Sequence, residues 1–448
     1  MVALKLTNTY TGKLEEFIPI NKGEVSIYVC GPTVYNYMHI GNARPWVVFD
    51  TFRRYLEAKG FLVRFASNFT DVDDRIIAKA KETGKSETEI SEYFIQACQK
   101  DIVSLNCHED YLKPRVTEYI PLIIDYISEL VNKGYAYVVE GDVFFRVEKI
   151  TEYGHLSKRK LDDLIQGARV EINPLKESPL DFVLWKKTDE GLNWESPFSK
   201  GRPGWHTECV VMIDALFNNK IDIHGGGADL IFPHHENEIA QSLACRKHTI
   251  ANYWMHNGRL QIENEVMSKS LGNVVLIKDF SYNMMALRLL LLSTHYRAPI
   301  NYTEQSIRMF AEEWDRIEAT LNAVYRKLDL ASAGTDIAFS ENQDTLKAVK
   351  AFNEAMDNDF NTPNAITELQ ALVKVANVEI RKGNDFRKLA AILNALGYML
   401  DVLGLKANVK RLTEDDVQSI RKWEALRKEK RYAEADELRR ILQEKGLF

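Results

Sequence analysis

A short β-rich run, Val25-Ser-Ile-Tyr-Val29, ends at Cys30 and leads through Gly31-Pro32 into His39-Ile-Gly-Asn42. An amphipathic stretch over residues 43–59 follows and stops at Gly60. This strand, turn and helix order limits the fold more than any other feature. The N–H groups at a helix N-terminus attract phosphate, and a glycine at 41 lets a nucleotide come close to the backbone. Residues 62–66 read as a second strand, followed by Asn68-Phe-Thr-Asp-Val-Asp-Asp74 and another helix. Strands alternating with helices imply a parallel sheet with crossovers.

The chain has 448 residues, too many for one ordinary core, so three or four domains are expected. From about 114 to 201 the pattern loosens into short strands at 135–139 and 143–147, with turns at Tyr153-Gly154 and Asn173-Pro174. This reads as an insertion into the sheet domain. The strand–helix pattern resumes near Gly204, passes residues 221–224 and reaches Trp254-Met255-His256. Beyond Tyr302 the sequence is rich in helix formers, and Thr413 with Asp416 has the spacing of a capping box. The fold class expected is α/β: a Rossmann-like doubly wound parallel sheet with an inserted connective subdomain, followed by α-helical C-terminal domains.

Hydrophobic content of 45% and charged content of 27% are those of a globular protein in water. The densest apolar run, residues 287–292, is broken by Arg288 and too short to span a bilayer. No basic-then-apolar N-terminal stretch reads as a signal peptide, so a cytoplasmic protein with no membrane partner is expected. Five cysteines in so long a chain do not make a disulfide framework. The net charge of −6 gives no global sign of nucleic-acid binding, so any RNA contact must come from local patches.

The residues that carry chemistry fall into two groups. His234 and Glu238 are spaced i, i+4 at the start of a helix, so both fall on one face. The spacing is a common accident. With Cys30 and Cys209 it becomes a set of two cysteines, one histidine and one glutamate, which suits tetrahedral Zn²⁺. The other reading makes Cys30 and Cys209 small buried hydrophobes. In the second group, His39 and Asn42 stand three apart at a helix start and can face one ligand, or simply cap the helix. Met267-Ser-Lys-Ser270 follows Glu263-Asn-Glu265 on a loop, where Lys269 gains meaning from the suspected phosphate site. His224-Gly-Gly-Gly-Ala-Asp229 offers a bare surface for a flat base, or a flexible turn with Asp229 as a cap. Trp205 beside Cys209 is a wall for a small pocket or plain core. Thr70 to Asp74 sit at a strand end, where doubly wound folds bind ligands, or Asp71 caps the next helix.

Taken together these pieces closely resemble the cysteinyl-tRNA synthetases of class I. The matches are Cys30-Gly-Pro-Thr-Val-Tyr35, His39-Ile-Gly-Asn-Ala-Arg44, residues 68–74, Gly167-Ala-Arg169, Asp181-Phe-Val-Leu-Trp-Lys186, Gly201-Arg-Pro-Gly-Trp-His206, Cys209 and His224-Gly-Gly-Gly227. Residues 232–242, 252–258 and 267–273, His295-Tyr-Arg297 and Asp359-Phe-Asn-Thr-Pro363 complete them in family order. The resemblance implies one Zn²⁺ per chain on Cys30, Cys209, His234 and Glu238, holding the substrate thiolate. It implies catalysis by His39, Asn42 and Lys269. ATP contacts would fall to Gly41, His39, Asn42, Gly226, Asp229, His256, Ser268, Lys269 and Ser270, with Mg²⁺ accompanying ATP. Cysteine contacts would fall to Cys30, Thr70 and Trp205. The partners implied are ATP, L-cysteine and tRNA(Cys), and the family default is a monomer.

The resemblance also gives the domains. The catalytic domain would have its halves at 1–113 and 201–262, with the connective insertion at 114–200. A stem-contact region at 263–310 carries the Met-Ser-Lys-Ser loop. A helical bundle at 311–405 binds the tRNA, and a helical region at 406–448 contacts the anticodon. Serine differs from cysteine by one atom, and zinc prefers sulfur to a neutral hydroxyl, so no editing domain is needed. The short insertion fits that expectation.

Three departures stand out. Asn42 stands where the family often has histidine, and Val266 where its second signature usually begins with lysine. A short β-rich tail is expected after the last basic helix, where this sequence runs to Phe448. Between 421 and 445 nine basic residues face six acidic ones, a local +3. That is a solvated hairpin or a phosphate-binding face made by Arg421, Lys422, Arg427, Lys428, Lys430 and Arg431. Two alternatives to tRNA charging remain. One is a ligase joining activated cysteine to a small-molecule amine, which the long helical C-terminal half disfavours. The other is a catalytically weakened relative that only binds RNA or a partner, which Val266 alone raises.

Overall fold

The computed structural model describes residues 3–160, 173–267 and 272–447. A hairpin of β1 (Lys5–Asn8) and β2 (Lys13–Glu16) precedes β3 (Glu24–Val29). Then come α1 (Ile40–Ala58), β4 (Leu62–Ser67), α2 (Asp74–Thr83), α3 (Glu87–Ser104) and α4 (Ile120–Asn132). Two-residue alternation puts Ile27 in one apolar layer with Phe49 of α1, and Tyr28 in the layer on the opposite face. The sheet is completed by β9 (Ile221–Gly227) and β10 (Ala251–Asn257) in the order β10-β9-β3-β4, every pair parallel. The chain runs outward from β3 to β4 on one side, and β9 and β10 lie on the other. The order therefore reverses between β3 and β9, where doubly wound sheets form their ligand crevice.

The insertion is an antiparallel sheet of β5 (Ala136–Val139), β6 (Asp142–Phe145), β7 (Phe182–Lys187) and β8 (Gly201–Pro203), in that order. Its first turn, Glu140-Gly141, has both φ angles positive, the tight geometry that a two-residue hairpin demands. α5 (Glu208–Phe217) and α6 (Glu236–Arg246) return the chain to the parallel sheet and cover its second face. The motif at Gly167-Ala-Arg169 lies outside the described residues.

β11 (Leu260–Ile262) and β12 (Glu265–Val266) lead to α7 (Met284–Leu292), and β13 (Ile300–Tyr302) then returns beside β11 to complete a small sheet. The helical half follows: α8 (Glu304–Leu330), α9 (Gln343–Asp357), α10 (Thr362–Lys382), α11 (Phe386–Leu403), α12 (Glu414–Lys428) and α13 (Tyr432–Glu444). Arg288, which breaks the apolar run, is fully buried and joins the two halves. It pairs with Asp50 of α1 and donates to the carbonyls of Leu105 (2.9 Å) and Leu403 (2.7 Å). Removing one member of such a buried pair costs about 3–5 kcal/mol. Asp359-Phe-Asn-Thr-Pro363 is a second joint. Asp359 and Phe360 both hold left-handed φ angles, 57° and 53°. The Asp359 carboxylate accepts from the Thr7 N–H (2.7 Å) and hydroxyl (2.6 Å), and Phe360 packs edge-on against Phe52 of α1. These contacts hold a backbone that non-glycine residues otherwise avoid.

Two local expectations need correction. Asp73, not Asp71, caps α2, accepting from the Arg75 N–H at 2.8 Å. Asp71 is buried and instead accepts from the N–H and hydroxyl of Thr117, because the chain turns back across the strand end there. Asp229 does not cap the next helix, which has Leu230 before it and no side-chain cap. Thr413 and Asp416 do form the expected capping box on α12. Among the described residues no helix is long and apolar enough to cross a membrane.

Candidate functional site

The carboxyl ends of β3 and β9 bring together residues that are far apart in sequence. Cys30 follows β3 directly, and its N–H donates to Gly225 of β9 at 3.2 Å. Cys209 sits in the first turn of α5. His234 and His235 occupy the turn Ile231–His235 that precedes α6, and Glu238 lies in the first turn of α6. The helix proper thus begins after His234, yet the i, i+4 pair still meets, with His234 Nε2 2.8 Å from Glu238 Oε1. The two sulfurs are 3.4 Å apart. Cys30 Sγ lies 3.6 Å from Glu238 Oε1, and Cys209 Sγ 3.7 Å from His234 Nε2. Donor atoms of all four residues lie within 4.8 Å of one another, a set suited to a thiophilic cation.

A second set overlaps the first. Cys30, His224, His235 and Glu238 also gather within 4.8 Å. His224 Nε2 is 2.6 Å from Glu238 Oε2, and His235 Nε2 is 3.2 Å from Cys30 Sγ. Behind them His256 bridges His235 Nδ1 (2.8 Å) and the Thr9 hydroxyl (2.9 Å), and His206 meets His234 Nδ1 at 3.1 Å. Sequence reasoning missed these imidazoles as a group. Their signal was density, since six of ten histidines fall between His206 and His256.

The electrostatics of the cluster follow from burial. Desolvation drives His235 well below its ordinary pKa and takes His206 and His256 down to about 3, leaving three neutral rings. Burial opposes charge on Glu238 too, but His224 and His234 hold its carboxyl well below the usual range. His234 rises to about 10 against its own burial because Glu238 and Cys209 face it. Burial and the adjacent Cys209 push the Cys30 thiol up. Cys209, bonded to Cys30 and His234, is held at about 6 despite burial. The surroundings therefore favour negative charge on Glu238 and on Cys209 and disfavour it on Cys30.

Cys30 opens that pocket to a cavity of about 380 Å³, whose walls include Gly31, His39, Gly41, Asn42, Gly227, Asp229 and Met267. His39 is the N-cap of α1. Its Nδ1 accepts from the Asn42 N–H (3.2 Å), and Asn42 Oδ1 accepts from the His39 N–H (3.4 Å). The capped-helix reading and a place on the cavity wall are thus both true. A neutral ring that accepts at Nδ1 carries its proton at Nε2. The first turn of α1 holds no acid, so nothing there opposes an anion. A Cβ on Gly41 would lie 3.1 Å from the His39 ring and 3.3 Å from the Met267 methyl, so glycine keeps this corner open. The downstream loop reaches the corner by backbone pairing. Ile40 N–H donates to Val275 O, and Ile277 N–H to Met38 O, both at 3.0 Å. Glu263 and Asn264, both at positive φ, turn β11 into β12 and aim the chain at Met267. Ser268, Lys269 and Ser270 lie outside the described residues.

The remaining expected residues are distributed around this frame. Gly226 is buried, and its missing Cβ makes room for Leu230 and His235, while its neighbour Gly227 lines the cavity. His256 is buried behind His235. Thr70 is buried, and its hydroxyl donates to Glu208 (2.7 Å), the residue before Cys209. Trp205 is 37% exposed and stacks on the His234 ring at 4.2 Å.

Comparison with known proteins gives this arrangement a family. A profile described as tRNA synthetases class I (C) catalytic domain matches residues 16–312, and one described as DALR domain matches 351–408. The chain is 46% identical over 456 residues to a protein of Bacillus cytotoxicus named Cysteine--tRNA ligase, covering 100% of this chain and 97% of that one. A Bacillus cereus protein of the same name is 45% identical over 452 residues, with the same coverage. Among solved structures, a ternary complex of Agrobacterium radiobacter LeuRS, tRNA and LeuAMS matches with a TM-score of 0.63 at 10% identity, covering 87% of this chain and 85% of that one. Mycobacterium tuberculosis methionyl-tRNA synthetase with methionyl-adenylate matches at 0.59 and 13%, covering 85% and 89%. At such low identity the last two speak for the fold alone. The parallel sheet with its reversal at β3 and β9, the helical half and full-length relatives at 45–46% identity agree, and the chain belongs to the cysteine--tRNA ligase family of class I aminoacyl-tRNA synthetases.

Proposed function

We propose that the chain joins L-cysteine to tRNA(Cys) in two steps. ATP and cysteine give cysteinyl-adenylate and pyrophosphate in the cavity beside Cys30, and the cysteinyl group then passes to the terminal ribose. The observation that carries this reading is the position of Cys30, which belongs both to the donor cluster and to the cavity wall at the N-terminus of α1. A substrate thiol at Cys30 and a triphosphate at Gly41 then share one chamber.

Cys30, Cys209, His234 and Glu238 would hold the metal, since they supply two sulfurs, an imidazole and a carboxylate with its charge already favoured. Zn²⁺ bound there would supply a thiophilic Lewis acid that takes a thiolate far better than serine's hydroxyl. His224 orients the Glu238 carboxylate through its second oxygen, and His206 orients His234, the usual role of groups behind metal ligands. Trp205 shields the His234 face from water. At the other end of the chamber His39 and Asn42 would face the phosphates and Asp229 the nucleoside, while Lys269, which lies outside the described residues, would supply positive charge for the pyrophosphate, as would the Mg²⁺ that accompanies ATP. Phosphoryl-centre chemistry of this kind needs positioning and charge neutralisation more than covalent help. The domains read from the sequence fit this scheme, with the helical half from 311 onward contacting the tRNA.

The test is cysteine-dependent ATP–pyrophosphate exchange by the full-length chain, run beside serine. The expected outcome is exchange with cysteine and almost none with serine. Comparable rates for both would refute the thiol-selective reading. A small-amine ligase would also exchange, and tRNA charging against amine acceptors separates the two.

A further inference from the structure

The chamber beside Cys30 must hold a triphosphate under the reading above, and phosphates need cations. Among the described residues that line it, Arg259 alone is a lysine or arginine. Val266, the residue before Met267, brings no charge. Asp229 is the one carboxylate in the described lining, and no carboxylate among the described residues pairs with Arg259. Other arginines near this end of the sheet are taken, Arg75 by Asp73 at 2.8 Å and Arg297 by Asp359 at 3.4 Å.

The fold fixes the backbone of Arg259 and leaves its side chain in water. The buried Arg44 guanidinium of α1 donates to the carbonyls of Gly258 (2.6 Å) and Arg259 (3.2 Å). The Ile300 N–H also donates to the Arg259 carbonyl, at 2.9 Å. Alternation along the strand buries Leu260 in the core and turns Arg259 to the other face, where it is exposed. Arg259 stands at the start of β11, and the other arm of that hairpin, β12, delivers Met267 to the same chamber. A guanidinium is a planar fork that stays charged and matches two phosphate oxygens at once.

We infer that Arg259 binds the pyrophosphate end of ATP and stabilises the charge that gathers there as the adenylate forms. The role rests on this chamber being the adenylate site. A carboxylate oxygen of cysteine attacks the α-phosphorus, and a new P–O bond forms. The bond from the α-phosphorus to the bridging oxygen breaks, and its electron pair leaves on pyrophosphate. No proton moves in this step, and Arg259 keeps its own throughout.

The experiment compares the full-length chain with Arg259→Gln and Arg259→Lys. Arg259 is exposed, so neither change disturbs the core. Cysteine-dependent pyrophosphate exchange gives KM for ATP, pyrophosphate and cysteine, and inhibition by adenosine reads the nucleoside contacts alone. In Arg259→Gln, kcat/KM for ATP should fall about twentyfold and KM for pyrophosphate rise about tenfold, as for the loss of a charge-assisted bond. KM for cysteine and the inhibition constant of adenosine should stay within about twofold, and Arg259→Lys should recover most of the loss because it keeps the charge. Adenosine binding that weakens as much as ATP binding would place Arg259 on the nucleoside and overturn the proposal. Unchanged constants for ATP and pyrophosphate would overturn it too. Absence of exchange in the parent itself would instead remove the underlying reading, and this role with it.

Discussion

In the cluster behind Cys30, Cys209, His224, His234, His235 and Glu238 are all buried, and each has a polar partner within hydrogen-bonding range. In the terminal hairpin of α12 and α13 the buried side chains are apolar (Val417, Ile420, Leu426, Ala435 and Leu442), and the charges face water. Arg431 pairs with Glu434 at 2.6 Å and Lys445 with Asp416 at 3.5 Å, both at the surface. Arg421 ties the hairpin back to the body through the Leu330 carbonyl. Burying a polar group costs several kcal/mol unless it is satisfied, so a dense buried set persists where its chemistry is used. Exposed ion pairs contribute at most about 1 kcal/mol, so they can exchange partners with an incoming phosphate. One region holds a fixed, buried geometry, and the other leaves its charges in water.

The largest expected effect tests the buried side. In Cys209→Ser, bound metal should fall from about one per chain to almost none, because one of two thiolates is lost. Metal analysis of the purified variant decides it. Full occupancy would mean that Cys30, His224, His235 and Glu238 are the working set. Next comes Lys269→Ala, where adenylate formation should slow about a hundredfold with cysteine affinity unchanged, as for a charge that acts on the leaving pyrophosphate. An equal loss of affinity would make Lys269 a ground-state contact. On the exposed side, ending the chain after Val409 should lower tRNA charging about tenfold and flatten its salt dependence. Pyrophosphate exchange without tRNA should not change. Undiminished charging would reduce the hairpin to a solvated face. The smallest effect is Thr413→Ala, which removes the hydroxyl that accepts from Asp416 N–H and should destabilise α12 by about 1 kcal/mol. Amide hydrogen exchange in α12 reads it, and loss extending into the parallel sheet would contradict the separation of the two regions.

Much of the frame was legible because it is local. Alternation in residues 25–29 and 62–66 and the helix period over 43–59 announce the βαβ unit, and Thr413-x-x-Asp416 announces a helix start. The i, i+4 spacing of His234 and Glu238 needs only one turn of backbone to bring them together. The capping exchange of His39 and Asn42 is equally short in range. The order of the motifs along the chain also carried the resemblance to the family.

What the sequence by itself determined is therefore the set of elements and the types of donor atom. Tertiary structure alone decided which donors meet. Cys30 and Cys209 touch across 179 residues of chain because β9 is laid beside β3 on the side opposite β4, an order set by burying both faces of the sheet. The same packing put His224 and His235 into the cluster, turned Asp71 away from its helix, and drew Arg288 inward to Asp50. None of these choices has a local signature. Each follows from covering apolar surface over long distances in sequence and from the need of every buried polar atom for a partner.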